Sequence, residues 1–454
     1  MGNDRPRAIR RGEDGFESGV REPQFNALVP PDRPDELVLP RTEDEVAAIV
    51  AEAAAAGRKV AVRSGGHSWV SASLREGGVL VDLSALAEVS VDGPALTARV
   101  GPGVRGGALG SALAARGLAF PVGRCGTPGI GGYLLGGGLG LNWGAWRPAV
   151  YSIRSMRMVT AEGALIRAST DENPEHFWLA RGAGIALPAI VTSFELELRP
   201  LPADVRLASW TFALDDLTVT GEWLTRASRG LRAEVELSVV LAGPGRPGAA
   251  AGDEPFVVGV TAIAYAGDAA SAEAALAPLD DAPETRERAE PAPVAFDELH
   301  LGADRTYPEG GRVLADTFWT PLELSEALAL IAEPFRRAPS GRSYVLGSMP
   351  AHGKGASLVT EGEAAYSMHD RTSLIVYAIW DEPDEDAANA AWLDEIATIL
   401  EAVSSGHFLS EADARRRPER VRRSFSEASW QRIVALRDSL DPQRVFHTFP
   451  VGAS

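Results

Sequence analysis

Two side chains stand out for the chemistry that their types and surroundings allow. His67 follows a pair of glycines in "VRSGGHSWV", and Cys125, the only cysteine in 454 residues, lies in "FPVGRCGTPGIGGYLLGGGLGLNWG". An imidazole nitrogen and a thiolate are both nucleophiles. Ten glycines, at 123, 126, 129, 131, 132, 136, 137, 138, 140 and 144, crowd the cysteine stretch. Ordering them costs backbone entropy, which packing alone does not explain. Their usual use is close backbone approach to a ligand, with amides aimed at phosphate. The spacing is not G-x-G-x-x-G in a strand-turn-helix frame, and no Lys-Ser/Thr follows, so neither a Rossmann nor a Walker loop is expected. The glycines alone indicate a phosphate or nucleotide site. Taken singly, His67 would be an ordinary turn histidine and Cys125 an inert buried thiol.

The elements that must carry these residues are legible in outline. In "LVLPRTEDEVAAIVAEAAAAGRKVAVRSGGHS", Thr42 and Glu45 form a capping box, Val46, Ile49 and Val50 an apolar stripe, and Gly57 a helix stop. "KVAVR" then reads as a buried strand that delivers His67 onto the next turn. "GGVLVDLSAL" and "SVDGPALTARVGPGV" read as strands, and "RGGALGSALAARGLAF" as a helix leading into the cysteine loop. A hairpin is expected over "IRSMRMVTAEGALIRA" and a strand over "AIVTSFELELRP", with a boundary at Pro200 and Pro202.

Beyond it the character changes. "VRLASWTFAL", "AEVELSVVLAG", "PFVVGVTAIAYAG", "SYVLGSM" and "TSLIVYAIW" read as strands of one sheet. "SAEAALAPLDDA", "PLELSEALALIAEPFRRA" and "EDAANAAWLDEIATILEAV" read as helices. A strand, acidic turn and helix occur near 257–280 and again near 374–400, which suggests an internal duplication. The tail "EASWQRIVALRDSLDPQRVF" is an amphipathic helix that ends at Asp441-Pro442. Four units are expected: an irregular arm over 1–35, a first domain over 36–202, a second over 203–405, and a returning segment over 406–454.

Composition narrows the field. This length calls for two or three lobes. A formal charge of −18 argues against a nucleic-acid partner. No run of about 18 apolar residues is present, so no membrane span is expected. "MGNDRPRAIRRGEDGF" has no apolar signal-peptide core, and a single cysteine suits a reducing compartment, so a cytoplasmic location is expected. No metal site is expected.

Strand-Arg-Ser-Gly-Gly-His, then Gly-x-Cys, then GG-x-x-x-GGG-x-G is a sharper pattern than any part alone. It resembles the berberine-bridge-enzyme-like branch of the vanillyl-alcohol-oxidase flavoproteins, with their PCMH-type FAD domain. "MVTAEG", "HFWLARGAG", "IVTSFELEL" and the tail continue the likeness. The resemblance implies an α+β, two-domain fold whose substrate domain is an antiparallel sheet covered by helices. It also implies FAD attached twice, through His67 to the 8α carbon and through Cys125 to C6. Arg63, Ser64, Gly65, Gly66, Ser68, Gly126, Thr127, Gly129, Gly131, Gly132, Gly137, Gly138, Asn142 and Ile190 would complete the cofactor site, with the pyrophosphate along the amides of 63–68 and 126–132.

The base-supplying half departs from the family. "GGGNFG" is replaced by "GAGIALPAIVTSF", with Ile185, Leu187 and Pro188 in the loop. The Tyr-x-Asn-Tyr segment reads "GHFLSEAD", with Phe408 and Ser410 in place of Tyr and Asn. Ile375 stands where a flavin-facing Gln or Glu is common, and the C-terminal Asn-Gln has become "HTFPVGAS". Pro128 fills the position that governs oxygen access. An alcohol oxidase needs an acceptor for the hydroxyl proton, and the candidates are Tyr377, Glu411, His369 and Tyr366. Tyr377 shares strand parity with Ile375. Tyr133 is expected to be structural.

The expected activity is oxidation of a CH–OH or related carbon of a small molecule by hydride transfer to flavin N5, with dioxygen as acceptor, in a monomer or homodimer. The rival readings are a redox-neutral or oxygen-independent flavoenzyme and a flavin-bearing binding protein.

Overall fold

The structure is a computed structural model that describes residues 6–244, 256–306, 310–350 and 358–449. The first half opens with β1 (Arg7–Arg10) and α1 (Phe16–Arg21), so the stretch expected to be an irregular arm carries a strand and a helix. Phe16 and Val20, one helical turn apart, bury against Leu37, Leu74 and Leu80. β2 (Glu36–Leu39), α2 (Glu43–Ala55), β3 (Val60–Arg63) and β4 (Val79–Asp82) follow. Thr42 Oγ1 caps α2 by accepting from the Glu45 amide at 3.2 Å. The Glu45 carboxylate accepts from the Arg41 amide at 2.6 Å rather than from Thr42, so only half of the expected box forms. These strands make a sheet of order β1-β2-β4-β3, parallel except for β1.

Next come β5 (Val89–Asp92), β6 (Thr97–Val100), α3 (Gly106–Ala114), β7 (Leu118–Ala119), α4 (Ile130–Leu135) and α5 (Trp143–Trp146). The hairpin β8 (Ile153–Thr160) and β9 (Leu165–Ser169), α6 (Pro174–Ala180), β10 (Ala189–Glu197) and β11 (Arg199–Pro200) finish this half. β5-β6-β10-β8-β9 form an antiparallel sheet, and β11 pairs with β7.

The second half holds one antiparallel seven-stranded sheet of order β15-β12-β14-β13-β17-β18-β16. It is built from β12 (Asp204–Ala213), α7 (Leu217–Ser228), β13 (Val235–Ala242), β14 (Val257–Ala266), α8 (Ala269–Leu276) and β15 (Glu287–Pro293). After α9 (His300–Thr306) come β16 (Arg312–Thr320), α10 (Leu324–Phe335), β17 (Tyr344–Pro350), β18 (Thr372–Trp380) and α11 (Asp386–Glu401). β12-α7-β13-β14-α8 and β16-α10-β17-β18-α11 are the same five-element unit. In each the third strand lies between the first two, and the units abut through β13 and β17. The duplication suspected from two strand-turn-helix segments is therefore larger than those segments.

All nine residues of β18 are buried because the strand is covered on both faces. Leu374, Val376, Ala378 and Trp380 pack under α10 and α11, each large side chain contributing about 1.5–3 kcal/mol. Ser373, Ile375 and Tyr377 face the first half.

The chain then returns through α12 (Glu419–Arg423) and α13 (Glu427–Leu440), which places Ile433 and Leu436 in the core of the first half. Past α13, the Val60 amide donates to Val445 O at 2.8 Å and the His447 amide to Val60 O at 2.9 Å, so the tail runs beside β3.

Candidate active site

The turn after β3 and the loop before α4 are pressed together by their glycines. A Cβ on Gly65 would stand 2.4 Å from the Gly129 amide nitrogen, and one on Gly66, whose φ is +70°, would stand 1.9 Å from Pro23 O. No larger residue fits either place. Arg105 ties the loops by donating to Gly65 O at 2.8 Å and Thr127 O at 2.5 Å. The glycine crowd thus serves loop-on-loop contact as well as the open wall at Gly132, where a Cβ would meet nothing.

His67 and Cys125 sit on the wall of one cavity. His67 Nε2 is 2.9 Å from Thr127 Oγ1, and the ring stacks on Phe25 at 3.8 Å. Burial lowers the His67 pKa to about 4, so the imidazole is neutral at pH 7 and keeps one nitrogen lone pair. Cys125 also reaches Thr127. Burial pushes its thiol well up, and the Asp304 carboxylate beside it adds to the effect. At rest Cys125 is a thiol.

The cavity, of about 320 Å³, continues into a second of about 150 Å³, and the two share Ser64, Gly132, Gly184 and Ile185 among their lining residues. The residues present fit an extended dinucleotide with an anionic centre. Arg75 Nε and His447 Nε2 are buried on the second cavity without a partner among the described residues, two nitrogens left for a ligand to satisfy. Arg63, Ser64, Gly65, Gly66, Ser68 and Gly129 line the first cavity, and Gly131 and Ile190 the second.

Other expected cofactor contacts lie elsewhere. The Arg63 side chain turns away to Asp82 and to Val20 O and Gly19 O, so it holds the turn from behind. Gly126 and Thr127 are off the wall, the first under His300 and the second beside His67. Gly137 packs under Tyr366, and Gly138 against Ala149 and Tyr133. Asn142 is buried in a left-handed conformation, its amide donating to Glu236 Oε2 at 2.8 Å.

Strands β17 and β18 form the opposite wall, with Leu346 paired to Ile375 and Ser348 to Ser373. Tyr377 Oη donates to Glu411 Oε2, and both residues line the cavity. Burial raises the Glu411 pKa, against the pull of hydrogen bonds from Tyr377 and Trp69. A carboxylate of this kind accepts a proton nearer neutrality than a surface one.

His369 does not reach this site. It lies between Trp319 and Trp143, with ring centroids 4.5 and 5.5 Å away, and burial lowers its pKa to about 4. Neither ring nitrogen has a partner among the described residues. Tyr366 packs on Gly137 and Gly182, off the wall. Tyr133 donates to Pro121 O at 2.5 Å and braces the glycine loop. Ser410 bonds Gly136 O at 3.2 Å.

Sequence reasoning overlooked Asp304, Arg75 and Glu236. Asp304 and Arg75 are half-buried and Glu236 is buried, and the contacts that mark all three are not visible without the fold.

A family model described as "FAD binding domain" matches residues 34–169. The FAD-linked oxidoreductase penO of Penicillium crustosum is 27% identical over 403 residues, 88% of this chain and 87% of that protein. The berberine bridge enzyme-like Cyn d 4 of Cynodon dactylon is 35% identical over 180 residues, 38% of this chain and 34% of that one. Among solved structures, 6-hydroxy-D-nicotine oxidase of Arthrobacter nicotinovorans superposes with a TM-score of 0.84 at 22% identity, over 98% of each chain. The chain thus carries an FAD-binding domain over residues 34–169, is similar along nearly its full length to FAD-linked oxidoreductases, and is itself an oxidoreductase.

Proposed function

We propose that this oxidoreductase holds FAD by two covalent bonds, from His67 and Cys125, and oxidises a CH–OH or related carbon of a small molecule, with dioxygen as the final acceptor. Bound FAD supplies the hydride acceptor, its N5. Proton handling falls to this chain's own residues. Tyr377 Oη takes the substrate's hydroxyl proton while passing its own to Glu411, to which it already donates. Trp69 holds Glu411 from another side. Phe25 stacking fixes the His67 ring, and Thr127 sets its Nε2. Leu346, Ile375 and Trp69 make the substrate side largely apolar, with Ser348 and Ser373 as local hydrogen-bonding points. That lining favours an alcohol on an apolar or aromatic body over a free sugar.

The observation that carries the reading is the Tyr377–Glu411 pair on the same cavity wall as His67 and Cys125. The test is anaerobic bleaching of the flavin across alcohols, sugars and larger apolar alcohols, followed by peroxide measurement on admitting air. Bleaching by an alcohol with peroxide release is expected, and the protein should stay yellow after acid precipitation. Turnover without bleaching or peroxide would overturn the oxidase reading. Release of all flavin into the acid supernatant would overturn the attachment.

A further inference from the structure

α9 belongs to the second half of the chain, yet it lies on the cysteine loop of the first. Asp304 Oδ1 accepts the Gly126 amide at 2.9 Å, and the same carboxylate hydrogen-bonds the Cys125 thiol. Asp304 Oδ2 is 3.6 Å from His300 Nε2, one helical turn back. The His300 ring covers the loop so closely that a Cβ on Gly126 would stand 2.4 Å from its Cδ2. The oxidation proposed above uses neither residue. They converge on the one nucleophile that is still protonated at rest.

We infer that Asp304 is the base that removes the Cys125 thiol proton as the bond to flavin forms, and that His300 is the positioning residue that holds Asp304 against the loop. The inference rests on the two-point attachment proposed above. A thiol in this setting needs proton removal before it can act. Because a carboxylate is a far weaker base than a thiolate, the proton moves only as the carbon–sulfur bond is made. The S–H bond and the ring C6–H bond break, and one C–S bond forms. The thiol proton passes to Asp304 and the ring proton to water. The two electrons left on the ring go to dioxygen, which with two protons becomes hydrogen peroxide. The net reaction converts thiol, ring C–H and dioxygen into thioether and peroxide.

The test follows attachment rather than turnover. Full-length chain made under riboflavin depletion is supplied with FAD in air, then denatured and digested at intervals, and the Cys125 and His67 peptides are weighed for flavin. Wild type should gain flavin on both. Asp304→Asn keeps an acceptor for the Gly126 amide but is no base, so its Cys125 link should form at least roughly 10²-fold more slowly. Its His67 link should form normally, which also reports that the variant folds and holds FAD. Asp304→Glu should restore part of the Cys125 rate, and His300→Ala should lower it less than Asp304→Asn does. An Asp304→Asn chain that links Cys125 as fast as wild type would overturn the role of Asp304. If Asp304→Asn gains no flavin on either residue, Asp304→Glu decides, and equal loss of both links there would make Asp304 structural. A wild type with flavin on His67 alone would instead remove the two-point attachment, and this inference with it.

Discussion

The two five-element units of the large sheet each place a tyrosine on a buried glutamate, and they use the pair in different ways. On β14, Tyr265 Oη donates to Glu236 Oε2 at 3.1 Å, and Glu236 is also ion-paired with Arg124 and bonded by the Asn142 amide. Tyr265 and Ile263 join the core of the first half, so that end of the sheet is closed. On β18, Tyr377 donates to Glu411, which has tyrosine and tryptophan partners and no ion pair among the described residues, and the strand faces a cavity. One fold unit used twice thus gives a clamp and the proposed proton site. An ion-pairing arginine and a packed face belong to the clamp, while open space and a carboxylate with a raised pKa belong to the site.

Four changes would break or sharpen that contrast. Glu411→Gln should slow flavin reduction by substrate about 10³-fold in anaerobic stopped flow, with flavin content unchanged, because the proton loses its final acceptor. Arg124→Ala should leave the Glu236 carboxylate buried without its ion partner and, because the Arg124 charge also lowers the Glu411 pKa, should raise that pKa as well. A loss of about 3 kcal/mol in denaturant unfolding is expected.

Tyr377→Phe should slow reduction about 10²-fold and also move its pH profile. Glu411 must be ionised to accept a proton, so the rate falls as pH drops through its raised pKa. The Tyr377 hydrogen bond lowers that pKa, so removing it should shift the acid limb to higher pH. A limb that moves down, or stays, would take Glu411 out of the reaction. The smallest effect is expected for Tyr265→Phe: about 1 kcal/mol of stability, and a reduction rate within twofold of wild type.

The elements most legible in the sequence were those whose pattern is local. β10 and β18 are rich in branched and aromatic residues, and α2 carries its cap and stripe together. β16 was missed because Asp316 interrupts an apolar run. The reason for that aspartate is 104 residues away, where Arg420 pairs with it at 3.0 Å and both are fully buried. α1 was hidden in an arginine- and proline-rich stretch, and only its two buried residues give it a face. In the site, His67 and Cys125 could be found because glycines flank them in sequence. Asp304 could not, since it meets Gly126 across 178 residues. His369 looked like a candidate base by type alone, and its packing between two tryptophans keeps it from the cavity.

The tail beside β3 bears on when the enzyme can be loaded. Val445 and His447 bond the backbone of Val60, and His447 forms part of the second cavity. On a ribosome, the turn that carries His67 emerges nearly four hundred residues before the segment that completes its wall. The nascent chain therefore has no finished cofactor site until that segment has emerged. FAD capture is expected only once that segment is present, and a message truncated shortly before codon 445 should yield a colourless protein rather than a weakly active yellow one.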